Sequence, residues 1–210
     1  MKSLLASLVV AAVSFSASAE LLTLKAGSAS KNGVNISESA TVTGTDQQLT
    51  TVGSGTRTKT VVVLPINVYV AQLMVADKDR FVHTDSGALP SLQAEKQTAI
   101  RLTFLRTVDA ATVMTNFKTS LDANKVSAQD TAVSAFLTAV SKNGEAKQGT
   151  SMTILITKNA DGSETVTYEN GATKADPITG QDLTNKIMSI WLGVVGFDDG
   201  LKSLKAELLK

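Results

Sequence analysis

The chain of 210 residues has no cysteine, three prolines, one histidine and one tryptophan, and aromatic residues make up only 4% of it. Each shortage removes a class of function. Without cysteine there is neither a disulfide framework nor a cysteine to carry a lipid anchor. The single His83 lies in the polar stretch "RFVHTDSG" with nothing at the spacing of a triad partner or a metal ligand, so it reads as a surface histidine. The acidic turns "ADKDR" and "FDDG" read as turn and cap chemistry, and no metal, cofactor or catalytic residue is assigned. An excess of one charge is missing too: Lys and Arg number 20 against 19 Asp and Glu. A nucleic-acid partner requires a basic face and stacking platforms, and the composition offers neither.

Long apolar runs are absent as well. The run from Leu4 to Phe15 falls short of the roughly twenty residues a bilayer requires, and that from Val61 to Ala76 is interrupted by Pro65, Asn67 and Gln72. No membrane span is expected. The first run instead follows Lys2 and precedes Ala17-Ser18-Ala19, the pattern of a cleaved signal peptide. Residues 1–19 are therefore read as a signal peptide, with Glu20 as the mature N-terminus. The expected location is periplasmic or secreted, most simply a bacterial periplasm.

Residues 20–210 carry the material of one domain, since 43% hydrophobic against 19% charged residues is enough for a sizeable core. Strand-like segments come first: "LLTLKAG", "GVNISESATVTG", "QQLTTVG", and one long run "KTVVVLPINVYVAQLMV", in which Pro65 predicts a bend, bulge or edge. "TAIRLTFLRT" alternates as a further strand. Asp109 caps a predicted helix with Ala110, Val113, Met114, Phe117 and Leu121 on one face. Ser127 and Asp130 resemble a capping box for a second helix that ends at Asn143-Gly144. "SMTILITK" and "TVTYENG" form a predicted hairpin about Asp161-Gly162. "QDLTNKIMSIWLG" and "DDGLKSLKAELL" are predicted helices. Strands first, helices between, then a hairpin and terminal helices predict an α+β layer arrangement. No repeat or low-complexity tract interrupts it.

The stretch "GSGTRTKT" leads into the most apolar segment and puts Arg57 at the mouth of the predicted strand. Two glycines beside a strand raise phosphate binding, but a dinucleotide loop opens a helix and wants glycine where Thr58 stands. No Gly-Lys-Ser/Thr is present either.

Taken together, "GSGTRTKTVVVLPINVYVAQLMV", "IRLTFLRTVDA", Asn-Gly before a Pro-Ile-x-Gly element, and "IWLGVVGFDDGLKSLKAELL" resemble the bacterial chalcone isomerase-like proteins over nearly the whole mature chain. The resemblance implies an open-faced β-sandwich, an antiparallel sheet with a layer of helices on one face and an apolar cleft between them. It also implies that Arg57 stands at the inner end of the cleft and faces Tyr69, as the arginine and tyrosine that hold a carboxylate do in fatty-acid-binding members. A guanidinium in an apolar slot gives a carboxylate a two-pronged grip. The plant isomerases carry threonine where Tyr69 stands, a tyrosine at the helix start that is here Ala110-Ala111-Thr112-Val113, and another where Met74 stands. Isomerase chemistry is therefore not the favoured expectation.

The candidate ligand-binding residues are Arg57, Tyr69, Met74 and Trp191. Each has an ordinary structural alternative: Arg57 pairing with Glu169, Asp109 or strand-end carbonyls; Tyr69 and Trp191 as core; Met74, with Met114 and Met188, as core filler. Arg101 and Arg106 are read as exposed ladder residues. The expected partner is a small amphipathic ligand, a fatty acid or aromatic carboxylate. An intramolecular lyase and a partner-binding protein with a closed cleft are the alternatives.

Overall fold

The computed structural model describes residues 20–194 and 196–210; the signal-peptide segment lies outside them. Nine strands and five helices build the frame that matters here. Strands β1 (Leu22–Lys31), β2 (Val34–Val42), β3 (Gln48–Val61), β4 (Leu64–Val75), β5 (Gln97–Phe104), β6 (Ser151–Lys158) and β7 (Glu164–Asn170) lie in sequence order in one antiparallel sheet. β8 (Thr173–Lys174) and β9 (Ile178–Gly180) pair with the two ends of β7.

The helices α1 (Ala88–Gln93), α2 (Ala110–Ala123), α3 (Thr131–Lys142), α4 (Leu183–Leu192) and α5 (Asp199–Leu208) supply the second layer. Alternation along the central strands decides which residues meet them. Tyr69, Leu73, Ile100, Leu102, Ile154 and Tyr168 share the main core with Phe117, Phe136, Ile187 and Trp191 of the helices. The opposite face carries Met74, Ala99 and Leu155, which pack with Leu21, Leu22, Val42 and Leu49. The sheet curls so far that the Leu21 N–H reaches Glu169 on β7, and β2 lies against β4, where the Gln72 side chain accepts from Ser37 N. This is the expected open-faced sandwich, with the β1–β2 end folded over its other face.

Several local expectations shift. The run "KTVVVLPINVYVAQLMV" is not one strand: it turns at Val62-Val63, and β3 runs straight through the glycine-rich stretch. Arg57 therefore sits within β3, directly across from Tyr69 on β4, beside a bulge between Arg57 and Thr58. Asp130, not Ser127, caps α3, accepting from the N–H groups of Ala132 and Val133. The Asp109 cap on α2 is as expected. The six-residue α1 has no counterpart in the sequence reading.

The glycines of "GSG" serve close packing. β2 pairs with β3 only as far as Thr50, so beyond it the β3 edge is covered by α5. Glu207 accepts from Thr56 N, and Lys31 donates both to Ser54 O and to Glu207, which satisfies groups that would otherwise form an open edge. A Cβ on Gly53 would overlap the carbonyl of Leu208.

Val62 adopts φ 60° at the hairpin tip. A β-branched residue is a poor occupant of the left-handed region, at a cost on the order of 1–2 kcal/mol, and glycine there offsets the gain through its unfolded-state entropy. Val62→Gly is expected to raise stability by about 0.5–1 kcal/mol in urea unfolding; a loss would show that the Val62 side chain contributes packing.

Candidate functional site

The open side of the sandwich, where β3, β4 and β5 meet the start of α2 and the loop into α5, holds a cavity of about 300 Å³. Its apolar wall includes Val68, Phe104, Val113, Phe117, Ile190 and Leu201, with Val61 and Ile66 of the hairpin at one side. Arg57 and Tyr69 line it together, only 6% and 8% exposed. The sequence pairing of these two residues is thus the strand register made visible.

The Arg57 guanidinium has two protein acceptors. One terminal nitrogen donates to Thr58 O and the other to Asp198 Oδ2, both at 2.5 Å, and the group lies 5.8 Å from the centre of the Phe197 ring. Two of the five N–H donors that the group owns are engaged in this way, and the other three have no acceptor among the described residues. Asp198 is also the N-cap of α5, accepting from Leu201 N through Oδ1. The arginine thus pairs with neither Glu169 nor Asp109. Glu169 sits near the far-face residue Leu21, and Asp109 caps α2 on the cavity wall.

The Tyr69 hydroxyl accepts from the Trp191 indole N–H at 3.1 Å. Its own proton remains available to donate. Burial, opposed by the Arg57 charge and by the Trp191 bond, pushes the phenol up to about 12, so it stays neutral and a donor at physiological pH. Trp191 stands behind Tyr69, in edge-to-face contact with Phe117 and 2% exposed. It positions the site without lining it.

Met74 falls away from the site. It is five residues after Tyr69 on the same strand, an odd spacing that turns it to the opposite face, where it is buried with Leu49 and Leu155. The strand-tyrosine position of the isomerases, as matched here, therefore does not reach this cavity.

The wall also holds residues that were not among the ligand candidates. Arg106, exposed at the end of the "FLRT" strand, and Lys59 bring two further cations to the cavity. Thr112 and Asn116 project from the first turns of α2, but the Thr112 hydroxyl is committed to Asp109 Oδ2 at 2.7 Å. The two bonds from Thr112 hold the Asp109 carboxyl below the usual range. Arg101 is half-buried on the other side of the sheet, among Glu20, Thr153 and Glu169, with its ionisation weakened mainly by burial. Among the described residues there is no cluster of metal-ligating side chains and no helix long and apolar enough to cross a membrane.

The fold and the cleft define an α+β, open-faced β-sandwich with a polar-ended apolar pocket between sheet and helices. The chalcone isomerase-like family matches residues 28–210, and the chain belongs to that family. Among solved structures it is similar to a fatty-acid binding protein of Arabidopsis thaliana, with a TM-score of 0.55 and 15% identity over 82% of this chain and 96% of that one. At that identity the likeness is one of fold. Comparison with curated proteins gives no match.

Proposed function

We propose that this chain binds a fatty acid or similar amphipathic carboxylate, tail in the cavity and headgroup at Arg57 and Tyr69. The observation that carries the reading is the pairing of a buried guanidinium and a neutral phenol, side by side in a cavity whose wall includes Val68, Phe104, Val113, Phe117, Ile190 and Leu201. The Arabidopsis relative, described as a fatty-acid binding protein, supports the same reading.

The volume bounds the ligand. At about 30 Å³ per water-sized group, 300 Å³ holds on the order of ten non-hydrogen atoms. Titrating saturated acids of increasing length should show affinity rising to about ten carbons and then levelling as the tail leaves the cavity. Asp198 competes for the same guanidinium, so Asp198→Asn, which keeps a good cap, should tighten decanoate roughly tenfold, about 1.4 kcal/mol. No binding by any acid, together with no lipid in native mass spectra of the purified protein, would remove this reading.

A second reading, an intramolecular lyase with Arg57 steadying an oxyanion, rests on the arginine alone. The one hydroxyl at the α2 start is already committed to Asp109. The same sample is expected to leave chalcone absorbance at its uncatalysed rate; faster loss that disappears with Arg57→Ala would favour the enzyme.

Export belongs to the proposal too, carried by Lys2, the apolar run and Ala17-Ser18-Ala19. Protein recovered from a bacterial periplasm should begin at Glu20, and an intact Met1 would contradict it.

A further inference from the structure

The β3–β4 hairpin ends in four consecutive apolar residues that face solvent: Val61 is 46% exposed, Val62 93%, Val63 79% and Leu64 67%. Beyond Arg57 and Tyr69 the two strands pair with each other, from Thr58↔Asn67 to Val61↔Leu64, while the β2 pairing stops at Thr50 and the β5 pairing at Tyr69. The tip is therefore a projecting two-stranded ribbon. Its end is aliphatic at a turn whose left-handed residue calls for glycine or asparagine. Neither water nor the fold rewards valine at that place.

The ribbon's own charge is positive. Residues 58–67 contain Lys59 and no acid, and exposed Arg106 stands on the rim of the cavity that Val61 and Ile66 wall. Asp109 shares that rim and stays ionised, held so by its bonds from Thr112, which leaves Lys59 and Arg106 in excess by one charge.

We propose that the Val61–Leu64 tip is a membrane-docking element that inserts into an anionic bilayer surface and sets the cavity mouth against the lipid. The dimensions fit. Two residues on each strand at about 3.3 Å apiece reach roughly 7 Å, the depth at which interfacial segments bury their apolar faces. The turn's free backbone groups stay within reach of headgroup water, and Lys59 lies two residues back, at headgroup level. A protein partner fits less well, because a stable interface buries about 800 Å² per side and the end of a single ribbon cannot supply that.

The inference extends the carboxylate reading by naming the surface from which an amphipathic ligand enters, but it is tested without any ligand. Purified protein is sedimented with vesicles of phosphatidylcholine alone and of phosphatidylcholine with phosphatidylglycerol at three to one. Wild type is expected to pellet with the anionic vesicles and several-fold less with the neutral ones or in high salt. Val62→Asp/Val63→Asp should lower the bound fraction at least tenfold. Val62→Gly/Val63→Ser, which relaxes the turn while removing both side chains, should do the same with no loss of thermal stability. Neither Val62 nor Val63 lines the cavity, so both variants should bind decanoate in solution as wild type does, and a failure of docking is distinguishable from a failure of the carboxylate site. Wild type that stays in the supernatant with both vesicles overturns the proposal, as do tip variants that pellet like wild type. A concentration-dependent dimer that Val62→Gly/Val63→Ser dissolves, without vesicle binding, would overturn it in favour of a second copy of this chain.

Discussion

Arg57→Ala is expected to weaken decanoate binding by roughly 10- to 150-fold while leaving the methyl ester nearly unaffected. The tail supplies most of the gross affinity, at about 0.8 kcal/mol per buried methylene before the costs of association and ordering. Charge-assisted bonds from the guanidinium add about 1.5–3 kcal/mol, which converts to the stated range. The ester keeps the tail and loses the charge, so wild type should bind it more weakly to begin with. Tyr69→Phe should cost the acid under about tenfold, because one neutral bond contributes roughly 1 kcal/mol. Arg57 also bonds Asp198, the cap of α5, so its loss disturbs the fold as well as the site. Asp198 keeps a side-chain exposure of 32% and its bond to Leu201, so the freed carboxylate is rehydrated and not stranded. Acid and ester titrations separate the two roles. Equal weakening of both ligands would mean that Arg57 shapes the cleft and does not hold the carboxylate.

How far this site was legible in the sequence differs from residue to residue. Arg57 and Tyr69 were legible through the family resemblance, and the strand register places them opposite each other. Met74 was misplaced although parity alone argues against it: an odd separation on a regular strand means opposite faces. Asp198 was not legible as a partner, because the pair is 141 residues apart and "FDDG" looks like ordinary cap chemistry, which it also is. The turn at Val62-Val63 escaped because neither residue carries turn chemistry, so the apolar run read through as one strand. Short α1 escaped because six residues give too few periods to detect. The layer order survived these errors, since it depends on the succession of alternating and helical patterns and not on where each begins.

The second large effect is expected at Gly53, where a single methyl group meets backbone. Both glycines of "GSG" lie within β3 and exist for what covers them. A Cβ at Gly53 would overlap the Leu208 carbonyl and approach the Leu208 Cα at 2.9 Å, and neither can move without moving α5. A Cβ at Gly55 would meet Leu204 Cδ1 at 2.7 Å, which a rotamer change can move, and Glu207 Cβ at 2.8 Å, which is fixed to the helix but lies farther off than the Leu208 carbonyl does from Gly53. Displacing α5 exposes Leu201, Leu204 and Leu208, all at most 4% exposed, each contributing about 1.5–3 kcal/mol by burial. Gly53→Ala should therefore cost about 3 kcal/mol or more in urea unfolding, and Gly55→Ala about 1–2 kcal/mol. Ser54→Ala, on the intervening residue, is the control and should stay within about 0.5 kcal/mol. Hydrogen exchange locates the damage: α5 amides should lose protection while β5 and β6 keep theirs. The same variant should weaken decanoate, because α5 brings Leu201 to the cavity wall and its Asp198 cap to Arg57. A Gly53→Ala protein within about 1 kcal/mol of wild type, with α5 still protected, would show that the helix slides to accommodate the methyl group and that the glycine is not what lets α5 seat on β3.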